Sequence, residues 1–310
     1  MSLTKEQVIA NWPEICRKFP IICGLKTFNA ELTIYATLQQ AYKQFDWIVI
    51  TDDGSTDNTI KMIEKCATDY GIKNIEVYQV GDQDPWPDQK VEKREGDHHI
   101  IRNGDKTAAK ACFKNWSITK QKYPNFFYLG LEDDVILFDN VRQRIYERIS
   151  KWSDPFTDCE YFNVSSIVDK DHVLLALHEG KPLPGIKQRA LYDNAGDWTC
   201  ALFWNAGQIQ IGPDPVYPFG ACMFPWLPKN QVGKKGQDTS MPFGFHMINY
   251  RKTKVGFCYN LDDPGLVRIT DLGESGEGVD FDLLNRVWFP EEIVLEKTDS
   301  AWIQKIKESK

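Results

Sequence analysis

The feature that most constrains the fold is an apolar run that ends in two acids and a glycine, Trp47-Ile-Val-Ile-Thr-Asp-Asp-Gly54. The run predicts a buried strand, Gly54 predicts a turn, and apolar residues at helical spacing after Ile60 predict a helix. Ligands of open α/β sheets bind beyond the carboxyl ends of the strands, which is where Asp52 and Asp53 lie. Carboxylates there can accept hydrogen bonds from a nucleobase or a ribose. The alternative is an ordinary strand–turn–helix with solvated acids.

Similar strand–helix units flank this one. Residues 19–25 predict a first strand, which a loop at 26–31 connects to a helix at 32–42. Residues 74–80 and 126–131 predict two further strands. The alternation predicts an α/β protein with a mostly parallel central sheet flanked by helices.

Three consecutive acids, Glu132-Asp-Asp134, follow the apolar strand at 126–131. Adjacent carboxylates at a strand end favour a divalent cation, because hard ions such as Mg²⁺ or Mn²⁺ prefer carboxylate oxygens and can bridge them to a diphosphate. The alternative is that these acids cap the helix predicted at 140–152.

The segment Thr51-Asp-Asp-Gly-Ser-Thr-Asp-Asn-Thr59 resembles the nucleotide-binding signature of the family 2 glycosyltransferases, which are inverting enzymes of GT-A fold. The resemblance extends, with a gap, over residues 18–262. It implies a Rossmann-like GT-A domain at 1–262, followed by a C-terminal extension at 263–310. The extension would pack on that domain or on a second copy of the chain in a homo-oligomer.

The resemblance also implies roles for individual residues. Asp53, beside Asp52, would bind the base of a nucleoside-diphosphate sugar, such as a UDP-sugar. The loop after the first strand would touch the nucleotide through Thr27, Asn29 and Glu31, although an ordinary strand–helix turn is equally compatible with its sequence.

The Glu132-Asp-Asp134 run resembles the family's D-x-D motif, with Glu in place of its first Asp. By that resemblance Asp134 and Glu132 would hold the metal, and Asp133 would lie near the ribose or the metal. Lys106, in the helix predicted at 102–123, would approach the donor phosphates unless it is simply solvated.

A third segment, Lys234-Lys-Gly-Gln-Asp-Thr-Ser-Met241, resembles the family's G-E-D block, which precedes a last large helix predicted at 239–252. The resemblance makes Asp238 the general base that takes the proton of the acceptor hydroxyl. Gln237 replaces the usual acid. Asp197 is the second candidate for the base, and a helix cap is the alternative role of Asp238.

Composition sets the remaining expectations. The formal net charge of −7 argues against a nucleic-acid ligand. The eight cysteines form no C-x-x-C pair, which indicates a reducing compartment. Neither a signal-peptide core nor an apolar run of about 20 residues is present, so we expect a soluble, cytoplasmic protein. Residues 81–104 predict a long polar loop.

Together these features predict a metal-dependent glycosyltransferase of hexosyltransferase type. It would move a sugar from a nucleoside-diphosphate sugar to the hydroxyl of an acceptor glycan or another molecule, with inversion. Two alternatives stay open. One is a sugar-phosphate nucleotidyltransferase, and the other is a non-catalytic module that binds sugar nucleotides or glycans.

Overall fold

A computed structural model describes most of the first half of the chain and shorter segments of the second half. The described residues are 4–81, 103–123, 126–155, 159–162, 164–167, 170–174, 177–178, 181–182, 200–205, 235–238, 242–247, 266–272 and 279–288. The polar loop predicted at 81–104 therefore lies outside the described residues, except at its two ends.

The N-terminal segment forms two short helices, α1 (Lys5–Ala10) and α2 (Trp12–Ile15), followed by a 3-10 turn at Cys16–Lys18. The chain breaks at Asn11 because Pro13, which lacks an N–H donor, is tolerated in the first turn of a helix but not in its interior.

The next part of the chain confirms the predicted alternation of strands and helices. Its elements are β1 (Ile21–Thr27), α3 (Ile34–Gln44), β2 (Trp47–Asp52), α4 (Thr59–Asp69), β3 (Ile75–Gln79), α5 (Asn103–Lys122) and β4 (Phe126–Leu131). Strands β1, β2 and β4 are buried along nearly their whole length, as expected for parallel strands covered by helices on both faces.

The described elements after β4 are mainly short strands. They are β5 (Val135–Leu137), α6 (Val141–Ile149), β6 (Cys159–Phe162), β7 (Ser165–Ile167), β8 (His172–Leu174), β9 (Leu177–His178), β10 (Lys181–Pro182), β11 (Cys200–Asn205), β12 (Lys235–Asp238), β13 (Gly244–Met247), β14 (Leu266–Arg268), a 3-10 turn at Ile269–Asp271 and α7 (Leu283–Arg286).

Within the described residues, the larger sheet has the strand order β12-β6-β11-β4-β1-β2-β3. Strand β1 is parallel to β2 and β4, and β2 is parallel to β3. Strand β11 is antiparallel to both β4 and β6, whereas β12 is parallel to β6. All the strands except β11 therefore end at the same edge, which confirms the mostly parallel α/β sheet.

A smaller sheet has the order β14-β8-β7-β13-β5 among the described strands. Its strand β13 contradicts the helix predicted at 239–252, and Asp238 therefore cannot cap that helix. The segment is a strand because it pairs with β5, which is far from it in the sequence. The two backbones approach so closely that a Cβ at Gly244 would lie 2.2 Å from the carbonyl oxygen of Ile136 on β5, so only glycine fits there.

The larger sheet is covered on both faces. The main core includes Ile21, Cys23 and Leu25 of β1, together with residues of α3 and α4. The opposite face packs against α5 through Ile22 of β1 and Trp116. No helix among the described residues is both long and apolar enough to cross a bilayer.

Candidate functional site

The carboxyl edge of the parallel strands brings together the predicted acidic segments. Thr27 at the end of β1 is in register with Asp52 at the end of β2. On the other side of β1, Leu25 is in register with Leu131 of β4, so Glu132 follows at the same edge. The N–H of Asp53 donates to the carbonyl oxygen of Thr27 at 2.9 Å, which continues the β1–β2 contact beyond the strands.

The two adjacent acids after β2 have different environments. Asp52 is only 1% exposed, and its carboxylate accepts hydrogen bonds from the Ser55 N–H at 3.0 Å and from the Ser55 hydroxyl. Gly54, at φ +80°, provides the left-handed turn between them. Asp53 is half-buried. Asp52 therefore stabilises the turn, while Asp53 is the more accessible carboxylate.

The loop after β1 is hydrogen-bonded to this turn through Asn29. The Asn29 N–H donates to Ser55 Oγ at 2.9 Å, and its Oδ1 accepts from the Thr56 N–H at 2.8 Å. Asn29 has φ 50°, a left-handed conformation that asparagine tolerates better than most residues. These contacts hold the Asn29 side chain against the turn.

Glu31 connects the same loop to the start of α4. Its Oε2 accepts from the Asn58 N–H at 2.8 Å and from Asn58 Nδ2 at 3.0 Å. The Glu31 N–H donates to Asp57 Oδ2 at 3.2 Å. Both Asn29 and Glu31, which the sequence predicts as nucleotide contacts, thus have defined roles in holding the two loops together.

Thr27, the third residue predicted in this loop, is different. It is 2% exposed, and its hydroxyl has no hydrogen-bond partner among the described residues. A buried hydroxyl without a partner is unusual in a folded protein. Thr27 lies at the strand end where the sequence predicts a nucleotide contact, but the protein encloses its hydroxyl.

Two of the predicted metal ligands meet a histidine that the sequence analysis missed. Glu132, Asp134 and His246 are all buried, and one potential ligand atom from each lies within 4.8 Å of the others. His246 Nε2 lies 3.0 Å from Asp134 Oδ2 and 3.7 Å from Glu132 Oε2.

Strand pairing places this histidine. His246 of β13 is in register with Val135 of β5, and the Met247 N–H donates to the Asp134 carbonyl oxygen at 2.8 Å. The only signal in the sequence was a histidine within an apolar segment. Because this segment was predicted to be a helix, nothing in the sequence placed His246 near the acids.

This set of donors fits a divalent cation. Carboxylate oxygens and an imidazole nitrogen are both common metal ligands, and a ligating histidine is neutral. Two carboxylates removed from water also require positive charge nearby, because the burial of unpaired ions is costly, and Lys26 beside Glu132 supplies one such charge. Glu132, Asp134 and His246 would together hold the ion that the sequence predicts.

Asp133 connects the candidate metal-ligand cluster, which consists of Glu132, Asp134 and His246, to the loop after β1. Its Oδ2 accepts from the Phe28 N–H at 3.1 Å, and its carbonyl oxygen accepts from the Thr37 hydroxyl at 3.0 Å. Asp133 is therefore attached to the loop after β1, between the two parts of the site.

The remaining predicted residues are placed only by their backbone or not at all. Asp238 is the last residue of β12, at the same sheet edge as Glu132. Three strand spacings separate β12 from β4, which corresponds to about 14 Å. Lys106 lies in the first turns of α5. The side chains of Asp238 and Lys106, and the whole of Asp197, lie outside the described part of the chain.

Comparisons with known proteins find a similarity over the first part of this candidate site. The model of the glycosyl transferase family 2 matches residues 24–80. No curated protein matches the chain. Among solved structures, a mannosyltransferase from Pyrobaculum calidifontis, in complex with GDP-Man and Mn²⁺, is 13% identical with a TM-score of 0.32 over 51% of this chain and 43% of its own.

Glucosyl-3-phosphoglycerate synthase from Mycobacterium tuberculosis, in complex with Mn²⁺, UDP and phosphoglyceric acid, is 12% identical with a TM-score of 0.30. That match covers 51% of this chain and 46% of the synthase, so the chain spans less than half of either protein. The matched residues, 24–80, contain the loop after β1 and the Asp-Asp-Gly turn to which this loop is hydrogen-bonded. The resemblance to family 2 glycosyltransferases is confirmed over this segment.

Proposed function

We propose that this protein is a metal-dependent glycosyltransferase that moves a hexosyl group from a UDP-sugar to an acceptor hydroxyl with inversion. The observation that carries the proposal is the buried cluster of Glu132, Asp134 and His246, which lies at the same sheet edge as the nucleotide-binding signature. A diphosphate between these two features would be within reach of both.

The donor nucleotide would bind at the ends of β1 and β2. Asp53, the more accessible acid, accepts a hydrogen bond from the base, and Thr27 lies next to the nucleotide at the end of β1. Asp133 lies next to the ribose. The hydrogen bonds between the loop after β1 and the turn after β2 hold these groups in place before the ligand binds, which lowers the entropy lost on binding.

The diphosphate would lie at the metal-ligand cluster, with Lys106 near its oxygens. A bound divalent cation, Mn²⁺ or Mg²⁺, stabilises the charge of the leaving diphosphate. The histidine in the ligand set favours Mn²⁺, because imidazole is a more usual ligand of transition metals than of Mg²⁺.

Asp238 would act as the general base. It takes the proton of the acceptor hydroxyl while that oxygen bonds to the anomeric carbon, and the bond from this carbon to the diphosphate oxygen breaks on the opposite face. Its place at the shared sheet edge supports this role. Asp197 is the alternative base. The acceptor is a glycan or another molecule with a hydroxyl group.

We also propose that the protein works in the cytoplasm, with a catalytic domain at 1–262 and an extension at 263–310. Cys16, Cys23 and Cys66 are buried and form no disulfide, which supports a reducing compartment.

The test is a melting-temperature screen with UDP-, GDP-, CDP- and dTDP-sugars, with and without Mn²⁺. A ligand that binds only the folded state raises the melting temperature, so we expect the largest increase with one UDP-sugar plus Mn²⁺. The Asp134→Asn variant should lose the Mn²⁺-dependent part of that increase. Asp139→Asn, a change at an exposed acid a few residues later, is the matched control.

Release of UDP from the same donor then separates an enzyme from a binding module. We expect the wild type to release UDP in the presence of an acceptor, and Asp134→Asn to be inactive. No shift with any donor would contradict the proposal, as would an Asp134→Asn variant that responds like the wild type. A shift without turnover would identify a binding module.

A further inference from the structure

Lys26 is a basic residue at the acidic edge of the sheet. It is the penultimate residue of β1, and the neighbouring pair Leu25–Leu131 sets it beside Glu132 at the end of β4. Its amine lies 3.6 Å from Glu132 Oε1, and its side chain is only 18% exposed. The lysine charge is thus held next to the metal-ligand cluster and largely out of water.

The carboxylate of Glu132, a member of the cluster, lies near both Lys26 and His246. Its Oε1 is the oxygen near Lys26, whereas its Oε2 lies 3.7 Å from His246 Nε2. A cation held by Glu132, Asp134 and His246 would take one oxygen of Glu132 and leave the other beside the lysine amine.

The charge of Lys26 should have opposite effects on the binding of a divalent cation and on the binding of a negatively charged diphosphate. The carboxylates of Glu132 and Asp134 carry two negative charges, and Lys26 carries one positive charge. A divalent cation therefore leaves the group with an excess of one positive charge, whereas without the lysine it would leave the group neutral. Charges a few ångströms apart in a largely buried site interact strongly.

We propose that Lys26 couples metal binding to nucleotide binding: it weakens the binding of a bare divalent cation and strengthens the binding of that cation together with a nucleoside diphosphate. The inference rests on the proposed function, since it assumes that the cation and a diphosphate share this edge. The coupling is reciprocal, because each ligand must change the affinity of the other by the same factor.

A purely structural role of the ion pair predicts the opposite sign. If Lys26 only held Glu132 in position, its removal would loosen a metal ligand and weaken the binding of the bare cation. The affinity for Mn²⁺ alone therefore distinguishes the two roles without any measurement of activity.

The experiment is a titration of the full chain with Mn²⁺, monitored by electron paramagnetic resonance, with and without UDP, and with GDP in parallel. Lys26→Met removes the charge and keeps the length of the side chain, Lys26→Gln is a second neutral variant, and Lys26→Arg keeps the charge. Lys18→Met, an exposed lysine before the other end of β1, is the matched control.

We expect Lys26→Met and Lys26→Gln to bind Mn²⁺ alone more tightly than the wild type. The gain in Mn²⁺ affinity on addition of the nucleoside diphosphate should fall on the order of tenfold, a change typical of the loss of a partly buried charge. Lys26→Arg and Lys18→Met should behave like the wild type.

Unchanged or weaker binding of Mn²⁺ alone by both neutral variants would overturn the role of Lys26 and leave the proposed function standing. A wild type that binds no Mn²⁺, alone or with a diphosphate, would overturn both. The unfolding transition of each variant shows whether the protein titrated is folded.

Discussion

At the scale of single residues, Asp52 and Asp53 have the same side chain but different environments. Asp52 is buried and hydrogen-bonded to Ser55, whereas Asp53 is half-buried at the carboxyl edge of the sheet. We expect Asp52→Ala to lower the free energy of unfolding by about 1–3 kcal/mol, because Ser55 loses its acceptor. Asp53→Ala should lower it less and should abolish the nucleotide-dependent increase in melting temperature.

Chemical denaturation and the ligand screen, applied to both variants, check this prediction. The two variants are controls for each other, since each removes one carboxylate from the same turn. If Asp52→Ala leaves stability intact while Asp53→Ala destabilises the protein, the assignment of the two acids is reversed. The sequence predicts both acids as ligand contacts and the resemblance assigns the base to Asp53, but the structural role of Asp52 is evident only from the hydrogen bonds of the turn.

His246 shows why part of the site was beyond prediction from sequence. The acids that it contacts follow a strand that is evident from its apolar run, so Glu132 and Asp134 could be selected from sequence alone. His246 lies 112 residues after Asp134, and only the pairing of β13 with β5 brings the two together. No spacing within the sequence encodes that contact.

At the scale of elements, two acids hold the start of helix α4. Asp57 Oδ1 accepts from the N–H of Thr59, the first helical residue, at 2.9 Å, and Glu31 of the preceding loop accepts from the Asn58 N–H at 2.8 Å. We expect Glu31→Ala to lower the free energy of unfolding by about 1 kcal/mol, because the Asn58 N–H loses its acceptor. The measurement is urea denaturation. Glu64→Ala, which removes the same charge from the exposed face of α4, is the control and should have little effect.

A Glu31→Ala variant as stable as Glu64→Ala would show that this contact does not stabilise the helix. If stability is unchanged and nucleotide binding is lost, Glu31 instead contacts the ligand, which is the role that the sequence resemblance implies.

The elements that the sequence predicts well are those specified by local pattern. The predicted strand at 126–131 has the same bounds as β4, because its apolar run is followed directly by three acids. Residues 159–167 are instead divided between β6 and β7, which are separated by only two residues and belong to different sheets. Short strands are defined by their partners, and local pattern does not identify a partner.

At the scale of the whole molecule, residues 279–288 connect distant parts of the chain. Gln39 of α3 donates to the Arg286 carbonyl oxygen at 3.1 Å and accepts from the Trp288 N–H at 2.9 Å. Phe281 stacks on Phe245, the neighbour of His246 on β13, with ring centroids 5.4 Å apart. The segment thus joins α3 to β13, the strand that carries His246.

This connection predicts that the C-terminal segment folds together with the sheet. Leu284 is 1% exposed and lies in the main core, so we expect Leu284→Ala to lower the free energy of unfolding by about 2–5 kcal/mol in a single transition. The neighbouring Asn285 is exposed, and Asn285→Ala should change it by less than about 0.5 kcal/mol. Urea denaturation followed by both tryptophan fluorescence and circular dichroism measures the two variants. Transitions that separate in Leu284→Ala would contradict a shared core, because a segment that unfolds on its own cannot hold β13 against the sheet.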